Sequence, residues 1–182
     1  MSIIVQKKDP VIRVAFCGSM GSGKTYASNL LREKIDARVL SIAKPIKEIV
    51  SDMGKSDRAS HIMVGSLGRE LDKNVWVKRL LSRIDAYETS GVNELVVDDV
   101  RYENEALALK DRGFILVYLK TPWHVRFQRI RERTDDLTAH IQWFAHESEI
   151  SPETMDRTLF DYICESEEHV DNVINEICGI TI

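Results

Sequence analysis

The stretch Gly18-Ser-Met-Gly-Ser-Gly-Lys24-Thr25 constrains this chain more than any other. An apolar run, Val11 to Phe16, precedes it, and a segment that reads as helix from Thr25 to about Ile35 follows. Strand, glycine-rich turn and helix in that order curl successive backbone N–H groups inward, beside the positive end of the helix. Such a cradle suits a polyphosphate. Gly18, Ser19, Gly21, Ser22, Gly23, Lys24 and Thr25 are the residues expected to hold it. The Lys24 ammonium can reach the β and γ phosphates, and the Thr25 hydroxyl can face a Mg²⁺ ion. The pattern implies ATP or GTP binding and leaves open what the nucleotide is used for.

At 182 residues the chain is expected to form one domain, 1–182, with a substantial core. No apolar run is long enough to span a membrane, and Met1 to Pro10 lacks a signal-peptide core, so no membrane partner is expected. Cys17, Cys164 and Cys178 are odd in number and widely spaced, which makes a reducing cytoplasm the default. Cys17 reads as a strand-end core residue. The net charge of −4 conceals an asymmetry: residues 1–90 carry 16 Lys/Arg against 10 Asp/Glu, residues 91–182 carry 9 against 19. A protein gripping long nucleic acid presents a basic face. Here the bases are scattered among candidate phosphate contacts, so a small anionic substrate is expected and stable nucleic-acid binding is not.

Beyond the loop, Arg38 to Ile42 reads as a short strand and Pro45 opens a helix. Lys44 and Lys47 then lie near a strand's C-terminal end, where open parallel sheets bind ligands. Asp52 to Arg69 is polar and only partly helical in pattern; Gly65 and Gly68 there permit close approach of another backbone. Val77, Leu80, Leu81, Ile84 and Tyr87 form a helical stripe, capped by Asp72 or Asn74, with Trp76 outside it on the exposed side. Glu94 to Asp98 and Phe114 to Leu119 read as strands, the second followed by a helix to about Arg133, with Thr121 as its cap and Pro122 in its first turn. Thr134 to Ile150 is irregular, Ser151-Pro152 starts a short helix, Leu159 to Cys164 is a last strand, and Ser166 caps a final helix. Strands alternating with helices define an α/β fold with a mostly parallel sheet covered on both faces.

A phosphate loop of this kind needs an acid at the end of a neighbouring strand to hold Mg²⁺. Asp98 and Asp99 end the third strand, and strand alternation predicts that only one of them faces the phosphates. Asp98 is taken with Thr25 as the metal pair, and Asp99 as a catalytic candidate. Arg126, Arg129, Arg131 and Arg133 follow at helical spacing before the irregular stretch, a pattern that suits a lid neutralising a transferring phosphoryl group, with Arg129 and Arg133 the catalytic candidates. His140, His146, Glu147 and Glu149 read as surface residues rather than a metal site.

Several segments in order resemble the phage-type deoxynucleoside monophosphate kinases among the P-loop nucleoside monophosphate kinases. They are the phosphate loop, Ile42 to Glu48, Leu67 to Asp72 with Asn74 to Val77, Val97 to Glu105, His146 to Glu149, and Phe160 to Ile163. The resemblance implies a five-stranded parallel sheet of order 2-3-1-4-5, an acceptor region over 44–88 and a lid over about 126–150. It implies that Arg69 and Arg101 grip the acceptor phosphate near Lys47, with Trp76 beside the nucleoside. The implied partners are ATP, Mg²⁺ and a nucleoside monophosphate, in a monomer or homodimer. Lys44 before Pro45 and Glu165 after the last strand depart from the family pattern. The competing expectations are a kinase of another small molecule, resembling dephospho-coenzyme A kinase with Asp99 as base, and an NTP-driven switch.

Overall fold

The computed structural model describes residues 11–133 and 144–180. Five strands make one sheet: β1 Arg13–Cys17, β2 Arg38–Leu40, β3 Leu95–Val100, β4 Ile115–Leu119 and β5 Tyr162–Cys164. Their order is β2-β3-β1-β4-β5, and every pairing is parallel. The sequence order 2-3-1-4-5 therefore holds.

The central strand explains its own composition. Val14, Ala15 and Phe16 are fully buried, as a strand covered on both faces must be, which is why the run reads as continuously apolar. Alternation sends Ala15 and Cys17, with Val97, Leu116 and Tyr118, into one core. Val14 and Phe16, with Val96, Val117 and Leu119, point into the other. The first core is closed by α2 Lys44–Asp52, α4 Val75–Thr89 and α5 Glu103–Asp111; the second by α1 Lys24–Ile35 and the C-terminal helix Glu167–Ile177.

The remaining described helices are α3 Arg58–Leu71, α6 Trp123–Arg131 and α7 Glu147–Thr154, which makes Glu167–Ile177 α8. The ambiguous stretch after Asp52 resolves into α3, started by Asp57, whose carboxylate accepts the Ser60 N–H at 2.9 Å. Three expected boundaries are corrected. Thr121 does not cap α6; its hydroxyl donates instead to the Ser22 carbonyl at 2.9 Å, tying that helix start to the phosphate loop. The helix expected to begin at Ser151-Pro152 begins earlier, at Glu147, with His146 as its cap, and Pro152 lies inside it. The last strand is shorter than expected, because Arg157–Leu159 forms a 3₁₀ turn before it.

Candidate active site

The phosphate loop folds as its glycines require. Gly21 and Gly23 sit at φ 80° and 99°, in the left-handed region that favours glycine. A Cβ on Gly21 would also meet the Arg126 carbonyl at 2.8 Å. Among the described residues nothing accepts from the N–H groups of Gly21, in the loop, or of Gly23, Lys24 and Thr25, orphan donors of the start of α1. Lys24 is folded back, its ammonium donating to the carbonyls of Gly18 at 2.7 Å and Ser19 at 2.9 Å. Burial, and then the nearby Arg101 charge, pull its pKa down to about 7. The Ser19 hydroxyl points away from the cradle, to the Glu149 carbonyl and the Glu153 carboxylate.

A cavity of about 300 Å³ opens over the loop from Met20 to Tyr26, and its walls include Ser41, Lys47, Asp98, Asp99, Arg101 and Arg133. Both acids of the pair reach it, contrary to the expectation that only one would. The cause is a break in register. Ala15 pairs with Val97 but Cys17 pairs with Val100, so Phe16 stands opposite both Asp98 and Asp99. Two residues facing one is a bulge, and a bulge re-aims side chains that alternation would separate. The two acids then differ in setting. Asp99 accepts from the Ser41 hydroxyl at 2.6 Å and from the N–H groups of Ile42 and Ala43 at 2.7 and 3.0 Å. Asp98 is pushed up to about 6 by burial and then by the Asp99 charge beside it. Asp98, Asp99 and Thr25 line the same cavity, an all-oxygen donor set of the kind a divalent cation takes.

A second cavity, of about 350 Å³, adjoins the first. Lys47, Asp99 and Arg101 line both. Its other walls bring in Arg69, as expected, together with Arg58, His61, Tyr102, His146 and Glu149. Arg69 stacks over the Tyr102 ring at 4.1 Å and stands 3.9 Å from buried Glu105. Arg58 is not among the residues expected from the sequence, because a stretch only partly helical in pattern does not fix which of its side chains share a face with Arg69. Once α3 exists, Arg58, Ile62, Gly65 and Arg69 fall at i, i+4, i+7 and i+11, on the cavity-lining face.

Glu149 does not stand at the surface, where the sequence places it. It is 4% exposed and forms ion pairs with Arg58 and Arg101 at 2.9 and 2.8 Å. Burial opposes its charge, but Arg101, the Met20 N–H and Arg58 together hold its carboxyl below the ordinary range. Pro152, inside the helix, contributes here. Proline has no N–H for the carbonyl four residues earlier, and that carbonyl, of Ser148, accepts from Arg101 Nη1 at 3.3 Å instead.

Trp76 does not join either cavity. It is 6% exposed, with its indole N–H donating to the Gly65 carbonyl at 2.9 Å, so the exposed indole expected from the sequence is a core residue. Among the arginines expected to form a lid, only Arg133 lines the cavity over the loop. Arg126 is buried and pairs with Glu153 at 3.1 Å. Arg129 braces the loop from behind, donating to the Gly21 carbonyl at 3.3 Å and pairing with Glu167 at 2.6 Å. Residues 134–143 of the expected lid, His140 among them, lie outside the described residues, as does the segment Met1 to Pro10. Among the described residues no helix is long and apolar enough to cross a membrane.

A five-stranded parallel sheet in this order, with a glycine loop at the end of its central strand, defines the P-loop kinase fold. Solved structures agree. A sugar kinase from Janibacter sp. HTCC2649 aligns with a TM-score of 0.62 at 15% identity, covering 94% of this chain and 96% of its own. The shikimate kinase of Acinetobacter baumannii, solved with shikimate, aligns at 0.55 and 17% identity, covering 94% and 93%. The profile of an AAA domain (AAA_18) matches residues 14–152. A UPF0200 protein of Methanosarcina acetivorans is 30% identical over 135 residues, 69% of each chain. The chain therefore belongs to this AAA domain family and to the UPF0200 proteins. ORF77 of Ictalurid herpesvirus 1, named an uncharacterized protein, is 34% identical over 116 residues, covering 60% of this chain and half of its own length.

Proposed function

We propose that this chain is a phosphotransferase that moves the γ-phosphoryl of ATP to a nucleoside or deoxynucleoside monophosphate, as its resemblance to the phage-type enzymes implies. The observation that carries the reading is the meeting of two cavities at Lys47, Asp99 and Arg101. One is floored by the phosphate loop; the other gathers Arg58, Arg69 and Arg101 around a volume of about 350 Å³, enough for a second anionic substrate. That Janibacter's sugar kinase and A. baumannii's shikimate kinase share the fold supports small-molecule phosphoryl transfer in general.

The setting of Asp99 supports a phosphate acceptor over a hydroxyl one. A hydroxyl acceptor needs a base, and Asp99 was the candidate. Both of its oxygens are already engaged by three donors, the Ser41 hydroxyl and the N–H groups of Ile42 and Ala43, so its carboxylate is committed to holding the Ser41–Ala43 segment. A monophosphate oxygen is already largely ionised at neutral pH, so the site need only align it and screen charge. In this reading the orphan N–H groups of the loop and Lys24 hold the donor phosphates, Lys24 leaving its carbonyl partners to do so. Arg69, Arg101 and Arg58 orient the acceptor, and Arg133 adds positive charge at the rim. Thr25 and Asp98 would hold Mg²⁺, which when bound screens the phosphate oxygens.

A coupled assay for ADP across ribo- and deoxynucleoside monophosphates tests the proposal. Turnover is expected with at least one of them, and none with any would overturn it. Lys24→Ala is expected to lower turnover by about 100-fold or more with the fold intact. Near-normal activity would remove Lys24 from the reaction.

A further inference from the structure

Among groups that the proposed reaction leaves unused, Glu149 is the most fully engaged. Its Oε1 accepts from Arg58 Nη2, and its Oε2 from Arg101 Nη1 and from the Met20 N–H. Its backbone carbonyl accepts the Ser19 hydroxyl at 3.1 Å. Arg58 lines only the arginine cavity, Met20 only the cavity over the phosphate loop. One buried carboxylate, itself in the wall of the arginine cavity, therefore bonds a group from the wall of each.

Two guanidinium groups share this single carboxylate, so an anion entering the arginine cavity competes with Glu149 for both. A guanidinium that turns toward a phosphate gives up part of its hold on the carboxylate. The carboxylate then leans more on its third donor, the Met20 N–H at the loop tip. The helix carrying Glu149 is drawn into the same exchange, because Arg101 also holds the Ser148 carbonyl.

We propose that Glu149 is a positioning residue that couples the two cavities, so that an anion among the arginines and a nucleotide at the loop bind interdependently. The proposal rests on the reading that the arginine cavity takes an anionic acceptor. Coupling of this kind is reciprocal, so it can be measured from the donor side with no acceptor present.

The test is a double-mutant cycle on the full chain, with the affinity for Mg²⁺-AMPPNP as readout. Arg58→Gln changes a side chain that lines the arginine cavity and not the cavity over the loop. It is expected to shift the AMPPNP Kd by about 5-fold or more, the low end of usual coupling. Combined with Glu149→Gln, it should shift the Kd no further than Glu149→Gln alone. An unchanged Kd in Arg58→Gln, or a shift that persists when the two are combined, would overturn the proposal. The ¹⁵N resonance of the Met20 amide gives the same cycle without any nucleotide: it should move with Arg58→Gln only while Glu149 is intact. Should Glu149→Gln fail to fold, Glu149→Asp keeps the charge but is too short to span all three donors. It is expected to lose the coupling, and full retention would refute it. A purely structural Glu149 would lower the melting temperature while leaving the response to Arg58→Gln unaltered. Failure of the monophosphate panel would remove the acceptor reading and leave this cycle standing, since no acceptor enters it.

Discussion

Glu105 shows how one side chain can carry a pH dependence in this fold. It is 3% exposed, and its Oε2 accepts the N–H groups of Arg101 and Tyr102 at 2.8 and 3.0 Å. Burial pushes its carboxyl up to about 7, against the opposing pull of those N–H groups and of Arg69. Unfolded, the group titrates near 4.5. The folded chain thus binds the extra proton between those values. The stability this group confers is present below the lower value and is lost as pH rises through the upper one. Glu105→Gln abolishes the titration and keeps an acceptor oxygen for both N–H groups. Urea midpoints of the two proteins should diverge in the variant's favour between roughly pH 5 and pH 8. Parallel midpoints across that range would show that Glu105 does not titrate there. Arg101, positioned through its backbone by Glu105, is expected to act on the acceptor: Arg101→Ala should mainly raise the acceptor KM, and a change confined to ATP affinity would contradict its placement.

At the scale of elements, α3 carries Arg58 and Arg69 into the wall of the arginine cavity and packs against Trp76 of α4. A Cβ on Gly68 would fall 2.3 Å from the Trp76 ring, and the indole donates to Gly65 one turn earlier. The two glycines admit a side chain, where the sequence suggested only a backbone. Gly68→Ala must therefore push the helices apart, at a cost of about 1–3 kcal/mol, and should also raise the acceptor KM because Arg58 and Arg69 ride on α3. Thermal melts and acceptor kinetics on the same variant check both effects. A normal melting temperature would mean that α3 and α4 adjust more freely than this contact implies. The exposed-side reading of Trp76 failed for a related reason: helical periodicity places a side chain on a face but says nothing of a neighbouring helix that covers that face.

Over the whole molecule, the arginine cavity gathers Lys47, Arg58, Arg69 and Arg101 against Asp99 and Glu149, an excess of positive charge. Capture of an anionic acceptor should weaken as salt shortens the screening length from about 10 Å at 0.1 M to about 3 Å at 1 M. The acceptor KM is then expected to rise several-fold, with kcat changing less. A salt-independent KM would exclude charge-driven capture. Much of this molecule was legible in the chain itself. The glycine loop with its flanking strand and helix and the alternation of strands and helices follow from local pattern, because backbone geometry, propensity and spacing are local properties; Arg69 and Arg101 beside the site were implied by the family resemblance. The sheet order came from the family resemblance rather than from the pattern, and the structure bears it out. Other features had no local signature. The bulge that turns both Asp98 and Asp99 toward the loop is a mismatch between two strands some eighty residues apart. Arg58 and Glu149 meet across 91 residues, and Pro152 matters only because Arg101 takes the carbonyl it leaves unpaired. Those outcomes belong to tertiary structure, since each depends on what a distant segment brings to a group that its own neighbours leave unsatisfied.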